Sequence, residues 1–351
     1  MHSDQVRFEQ FSYKSLDEAT LAALFAHHER LWDEIHPDDP PRQLEGVRAR
    51  WASLPPFLRT YGWLGRLPGG QVIASTSLFL TDMEENRHLA QTELDVNPAW
   101  RRQGLGWQLA RRLLAAAAAE ERRLLIFATN DRHGGGEAFA RRVGAHAGMT
   151  AHTNQLDLRG VDRALLRRWQ EAAQQREAGF ELGLWDGRYP EDDLEAIAGL
   201  MQVMNQAPHG DLDVGDFNFS PEQVRQIEGQ QLSGGRRRWT MFARERETGN
   251  FAGYTVLFLD PARPEIIQQG DTGVLPAYRD KGLGRWLKAA MLAKVLDEWP
   301  HGRFVRTGNA DSNAPMLRIN EALGFRPYMA ETVWQVAVET AKAALPEAIR
   351  V

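Results

Sequence analysis

The sequence predicts an α/β (α+β) fold in two tandem copies, and three observations carry that prediction. A fourteen-residue pattern occurs twice. Val96-Asn97-Pro98-Ala99-Trp100-Arg101-Arg102-Gln103-Gly104-Leu105-Gly106-Trp107-Gln108-Leu109 recurs 178 positions later as Val274-Leu275-Pro276-Ala277-Tyr278-Arg279-Asp280-Lys281-Gly282-Leu283-Gly284-Arg285-Trp286-Leu287. Both copies keep V-x-P-A-aromatic-R-x-x-G-L-G-x-x-L. Each copy sits in the same order of predicted elements, β-α-α-β-β-β-α-β-α-β. The 351 residues are 43% hydrophobic and 25% charged, enough for two soluble cores.

The elements follow in order. In the first half, residues 6–11 read as a strand. Residues 16–35 read as a helix, with Ser15 as N-cap and Glu18 completing a capping box. A second helix is expected over 41–51. Strands at 57–67 and 71–80 flank the turn Pro68-Gly69-Gly70, and 88–96 is a third strand before the glycine loop. A helix over 105–122 and a short apolar strand at 124–128 follow. In the second half, 180–185 is a strand and 190–204 a helix. Residues 220–232 form a helix capped by Ser220, with proline in its first turn. Strands at 238–244, 253–259 and 266–274 lead into the second loop, then a helix over 283–299 and a strand at 304–307. The charged, alanine-rich stretch 161–177 has helical propensity and reads as a linker. The expected domains are 1–160, a linker over 161–178, and 179–351.

Composition narrows the function classes. The net charge is −5, so no global basicity points to nucleic acid. No cysteine is present, which excludes a disulfide scaffold, a thiolate metal site and an acyl-cysteine intermediate. The first residues lack an apolar secretory segment, and the longest low-polarity run, 113–119, is too short to span a bilayer. A cytoplasmic protein without a membrane partner is expected, as a monomer or a homodimer.

The loop R-x-x-G-x-G joins a strand to a helix. Glycine lets the backbone take left-handed dihedrals and approach a ligand closely. A helix N-terminus offers unpaired N–H groups to an anion, and arginine adds positive charge. The loop suits a phosphate or pyrophosphate, yet it is neither a Walker loop nor the dinucleotide fingerprint.

On this duplicated loop the chain resembles the GNAT acyltransferases, whose acetyl-coenzyme A motif has the form V-x-P-x-[YW]-R-x-x-G-[LI]-G-x-x-L. The resemblance spans both halves and implies a mixed, mainly antiparallel sheet in each. It implies acetyl-CoA as cosubstrate, no metal, and a pyrophosphate held by the loops Arg101, Arg102, Gln103, Gly104, Leu105, Gly106 and Arg279, Asp280, Lys281, Gly282, Leu283, Gly284. Backbone groups of Val96 and Val274 would meet the pantetheine arm. Asn309 and Asn313 match the asparagine segment that precedes a helix ending Leu323-Gly324-Phe325, with Asn313 the residue the resemblance sets against the coenzyme arm; in the first half His133 and three glycines stand there, with Asn130 as a partial substitute. Tandem chains such as mycothiol synthase are known, but nothing ties this chain to mycothiol.

Acetyl transfer to an amine needs a neutral nucleophile and a stabilised oxyanion. The resemblance places candidate bases at Glu93 and Asp271, three residues before each valine. The tyrosine that usually protonates the thiolate is replaced by Ala140 and Asn320; Tyr328 is a weaker stand-in, more simply read as a core or surface residue. His27-His28 reads as a helix-face pair, and Gly234-Gly235-Arg236-Arg237-Arg238 as a solvated turn. His209, Asp211, Asp213 and Asp216 match no metal motif and read as an acidic loop; the GNAT resemblance implies that this region borders the acceptor cleft, where its acidity would favour a cationic acceptor. Two functions compete: an N-acetyltransferase acting on a small-molecule or peptide amine, and an acyl-CoA sensor or interaction protein with one or both modules inactive. The first half has the better carboxylate and the second the better asparagine segment.

Overall fold

The computed structural model describes residues 5–347, which gather into two compact units. The first comprises Met1–Thr150, His209–Gly215 and Ala330–Val351. It contains β1 (Arg7–Phe11), α1 (Glu18–Ile35), α2 (Leu44–Ala52), β2 (Leu58–Arg66), β3 (Val72–Thr81), β4 (Leu89–Val96), α3 (Leu105–Ala119), β5 (Leu124–Asn130) and α4 (Gly135–Arg142). Strand β6 (His146–Asp157) begins here, and the unit also takes the later part of β12 (Arg326–Ala337) and α10 (Val338–Ala343). Its sheet runs β1-β2-β3-β4-β5-β12 and is antiparallel except at β4 and β5.

Helix α3 buries Leu105, Leu109, Leu113 and Leu114. Leu24 of α1 packs in another cluster with Tyr13, Leu64 and Val72. Each such buried leucine contributes about 1.5–3 kcal/mol relative to exposure. The cap of α1 is Asp17, which accepts from the Thr20 N–H at 2.9 Å; the expected cap Ser15 instead ends a short 3-10 turn, Tyr13–Ser15. That turn consumes the residues on which a capping box would have formed.

The second unit comprises Ala151–Pro208 and Asp216–Met329. It holds α5 (Arg163–Arg176), β7 (Phe180–Asp186), α6 (Leu194–Met201), α7 (Pro221–Gln231), β8 (Arg237–Glu245), β9 (Phe251–Leu259), β10 (Ile266–Val274), α8 (Leu283–Glu298), β11 (Phe304–Ala310) and α9 (Ala314–Leu323). Its sheet runs β6-β11-β10-β9-β8-β7, with β10 and β11 parallel. Ser220 caps α7 in a full capping box with Gln223. Helix α6 is shorter than expected and continues as a 3-10 turn, Gln202–Gln206.

The stretch read as a linker is a helix, but it is part of this unit's core: Leu166 and Ala173 of α5 are buried in the same cluster as Leu287, Met291 and Val295 of α8. The arginine run is likewise not a solvated turn throughout. Arg238 is 1% exposed and pairs at 2.6 Å with Glu228, itself 2% exposed. Strand alternation turns Arg238 inward, and a buried cation needs a partner.

The compact units do not follow the repeat. Residues 331–337 of β12 pair with 124–130 of β5 in the first unit, whereas residues 151–157 of β6 pair with 304–310 of β11 in the second. Each half was expected to keep its own last strand. Both terminal strands carry similar patterns, and β5 and β11 offer similar partners, so local pattern does not choose between them.

The acidic segment His209–Gly215 also joins the first unit. The Asp211 N–H donates to the Gly148 carbonyl at 2.8 Å, and Gly215 exchanges two hydrogen bonds with Asn86. The Gln335 amide donates to the Asp211 carbonyl at 2.7 Å and accepts from the Asp213 N–H at 2.9 Å. Gly210 has φ +62°, and a Cβ there would lie 2.2 Å from the Gly148 oxygen, so the contact requires glycine. A fragment ending at residue 160 therefore lacks a strand and a docked segment of the first unit. It is expected to unfold without the cooperative transition of the full chain in a circular-dichroism melt; a sharp transition at the full-chain midpoint would contradict this composition of the unit.

Candidate active site

The two parallel strand pairs set the geometry. Strands β4 and β5 pair only over residues 89–91 and 124–126, and β10 and β11 only over 266–268 and 304–306. Beyond these three residues β4 stays paired with β3 and β5 with β12, so the neighbours part and a gap opens toward the glycine loop. In the second unit the same region of β10 carries a register shift against β9 between Gln269 and Thr272.

Each loop starts with a 3-10 turn, Pro98–Trp100 or Pro276–Tyr278. Then the backbone twice turns left-handed, at Arg102 (φ 63°) and Gly104 (φ 85°), and at Asp280 (φ 63°) and Gly282 (φ 77°). Gly104 and Gly282 are the N-caps of α3 and α8, and neither helix has a side-chain cap. A Cβ at Gly282 would meet nothing within 4 Å, and Cβ atoms at Gly106 and Gly284 would meet no protein atom closer than 3.7 Å. The protein therefore leaves space above uncapped helix ends, an arrangement that suits an anionic group. Leu105 and Leu283 are each 1% exposed, so they anchor the helix and only their backbone can face a ligand.

The loop arginines fold back. Arg101 donates from Nε to the Val96 carbonyl at 3.0 Å and makes a two-pronged ion pair with Glu34 at 2.6 and 2.5 Å. Arg279 donates to the Val274 carbonyl at 3.2 Å, and its other contact is the neutral Gln206 amide at 2.5 Å. Both hold the strand end against the loop. The charge of Arg101 is largely answered by Glu34, whose carboxyl is lowered chiefly by this hydrogen bond. Gln103 bonds back to the Ala99 carbonyl, while Lys281 lies over the Phe180 ring.

Asn313 caps α9 by accepting from the Met316 N–H, and Asn309 accepts from the buried Asn320 amide at 2.8 Å. Asn320 is thus a support for Asn309 rather than a proton donor. Ala140 is fully buried. Tyr328 lies under the Arg306 guanidinium at 4.2 Å. Asn130 accepts from the Arg132 N–H in a local turn.

Glu93 and Asp95 occupy alternate positions of β4, so their side chains share a sheet face, opposite Ser77 and Ser75 respectively. The Tyr13 hydroxyl is 2.7 Å from Ser77 Oγ, and His28 Nε2 is 3.3 Å from Ser75 Oγ. Glu93 retains solvent access, yet surrounding protein raises its carboxyl above the ordinary range. Asp95 is pushed up to about 7 by burial, with Glu93 adding repulsion and Arg101 opposing it. Burial lowers His28 to about 4 and His27 to about 3, so both rings are neutral near pH 7. The helix-face pair lies on α1 with His27 buried and His28 against Ser75. Sequence reading missed Asp95, although its i, i+2 spacing from Glu93 on a strand was the signal.

In the second unit Asp271 is also raised by burial, partly offset by the Tyr254 hydroxyl 3.4 Å away. Tyr254 and Tyr189 are buried there. The docked segment His209–Gly215 meets the first unit beside Asn86 and His88, which precede β4, at the end of that strand remote from the glycine loop. Among the described residues no group of three His, Asp or Glu side chains is placed to hold a metal. No described helix is long and apolar enough to cross a membrane.

The acetyltransferase (GNAT) family model matches residues 21–144 and 209–325, more than half of the chain. The chain belongs to the GNAT family. Among solved structures it is similar to a tandem GNAT protein from the clavulanic acid biosynthesis pathway, solved without AcCoA: 25% identity, TM-score 0.76, over 95% of this chain and 98% of that one. It also shares its fold with a GCN5-related N-acetyltransferase from Sphaerobacter thermophilus, at 13% identity and TM-score 0.64, over 96% and 97% of the two chains. A glucosamine N-acetyltransferase region of a fungal multi-domain β-N-acetylglucosaminidase gives 14% identity and TM-score 0.65, over 94% of this chain and 38% of that one. A search of curated proteins finds no match. Membership of this tandem GNAT fold supports acyl transfer as the general chemistry.

The raised carboxyls have a stability consequence. A folded-state value above the unfolded one means that the native protein holds the proton more tightly, so stability is lost as pH rises from the unfolded value through about 7 at Asp95. Asp95→Asn is therefore expected to be more stable than wild type at about pH 8, with the advantage shrinking toward about pH 5, in paired urea titrations. No stabilisation at the higher pH would show that Asp95 is well solvated.

Proposed function

We propose that this GNAT protein moves an acetyl group from acetyl-CoA to a primary amine by direct attack in a ternary complex. One observation carries the reading: in both units an uncapped helix end, preceded by the same left-handed pair of loop residues, stands beside a gap between parted parallel strands. The helix N–H groups would hold the coenzyme pyrophosphate. Strand groups at Val96 and Val274 would bond its arm, and Asn309, held by Asn320, would orient it in the second unit. A strand carboxylate, Glu93 or Asp271, takes a proton from the ammonium. The neutral nitrogen then attacks the thioester carbonyl, the carbon–sulfur bond breaks, and the nitrogen's second proton goes to the thiolate. No side-chain nucleophile is needed. The acceptor is a small-molecule or peptide amine, and the setting is the cytoplasm.

Calorimetry with coenzyme A tests the reading. Wild type is expected to bind at two sites, and a double substitution of Gly104 and Gly282 by tryptophan is expected to weaken binding at least about 100-fold. Absent binding by wild type, or undiminished binding by the variant, would reject it.

The second reading, an acyl-CoA sensor with inactive modules, is favoured by Ala140 and Asn320, since neither supplies a proton to the thiolate. Saturable turnover in a screen of primary amines would reject it.

A further inference from the structure

We infer that the first unit holds the amine-accepting site, with Asp95 as the partner of Glu93 in binding and deprotonating a cationic primary amine, and that the second unit does not take the acceptor. The inference rests on the acetyl-transfer reading above and deepens it by choosing the half and adding a residue. Corresponding positions of the two units carry the argument. In the first unit Ser75 stands opposite Asp95. In the second, Tyr254 stands opposite Gly273. The serines opposite β4 are small, and their hydroxyls meet the covering layer at His28 and Tyr13. In the second unit a large side chain takes the matching position. Tyr254 is 2% exposed and packs with Trp185, Tyr189, Val203 and Phe242. A Cβ on Gly273 would lie 2.4 Å from Val203 Cγ1, so not even an alanine, still less a carboxylate, has space there.

The groups facing Asp95 explain its use. Glu93 lies on its own strand, Arg101 on the loop with its charge answered by Glu34, and neutral His28 and buried Tyr13 on the covering elements. No cation among these neutralises the two carboxyls, so a bound ammonium is the group that lets both ionise. An ammonium shared by the pair gives one proton to a carboxylate and becomes the free amine. After attack and loss of the thiolate, its second proton passes to sulfur and the carboxyl returns the first to solvent. Asp271, with a tyrosine hydroxyl and no second carboxylate, has no such arrangement.

The test compares two coenzyme thioethers by calorimetry: S-(2-aminoethyl)-coenzyme A, which sets an ammonium where the attacking nitrogen would sit, and S-propyl-coenzyme A, its uncharged counterpart. At about pH 8 the wild type is expected to bind the ammonium form at least about tenfold more tightly at one site, with no preference at any second site. Asp95→Asn and Glu93→Gln are each expected to remove most of that preference while leaving S-propyl-coenzyme A binding near wild type and the fold at least as stable as wild type. Ser75→Tyr, which copies the second unit's side chain, is expected to remove it without touching a carboxylate. Equal binding of both thioethers by wild type would overturn the inference while leaving the coenzyme reading intact. A preference lost in Asp271→Asn and kept in Asp95→Asn would also overturn it. Failure to bind either thioether or coenzyme A itself would instead bring down the coenzyme reading.

Discussion

Backbone pairing is the constraint on which the rest of each unit depends. A buried N–H or carbonyl without a partner is costly, so neighbouring strands normally stay in register along their length. Here β4 and β5, and again β10 and β11, keep company for three residues and then separate. The outer neighbours β3, β12, β9 and β6 hold the parted strands in place from either side. The gap is thus built by the sheet, at the same place in both units. The glycine loop is placed by the same event, because it begins where β4 or β10 ends.

The loop arginine reads differently once that geometry is known. R-x-x-G-x-G suggests a charge aimed at phosphate. Both arginines instead donate to the valine carbonyl five residues earlier, closing the turn that delivers the helix end. The helix N-terminus and the space that glycine leaves do not depend on those two charges. The two units also differ in what covers the sheet beyond the loop. The first has serines, neutral histidines and paired carboxyls. The second has buried tyrosines and a valine pressed against glycine. The loop and helix end are thus the same in both units, while the layer over the sheet beyond them differs.

Much of this was legible in the residues. The element order, both loops, the Ser220 cap and the turn at Gly70 follow from short-range rules, because capping, left-handed dihedrals and strand alternation depend on neighbours in the chain. The misreadings share a cause. Ser15 lost the cap to Asp17 through a 3-10 turn that packs Tyr13 into the core. Arg238 looked solvated beside two glycines, yet its partner Glu228 comes from a helix ten residues earlier. The helix over 163–176 looked free because its apolar stripe is narrow, and α8 covers it. Asp95 differs from these: its spacing from Glu93 was plain, but its importance depends on what lies over the strand.

The sequence by itself determined the duplicated module, the left-handed loop and the positions of the helix ends, since each is set by residues a few positions apart. Only the tertiary structure decided which strand closes which sheet, where His209–Gly215 docks, and which carboxylates stand beneath serines and histidine rather than buried tyrosines. Those outcomes depend on partners more than a hundred residues away, such as Gln335 for Asp211 and Asp213, and similar strand patterns carry no label for the partner they will meet.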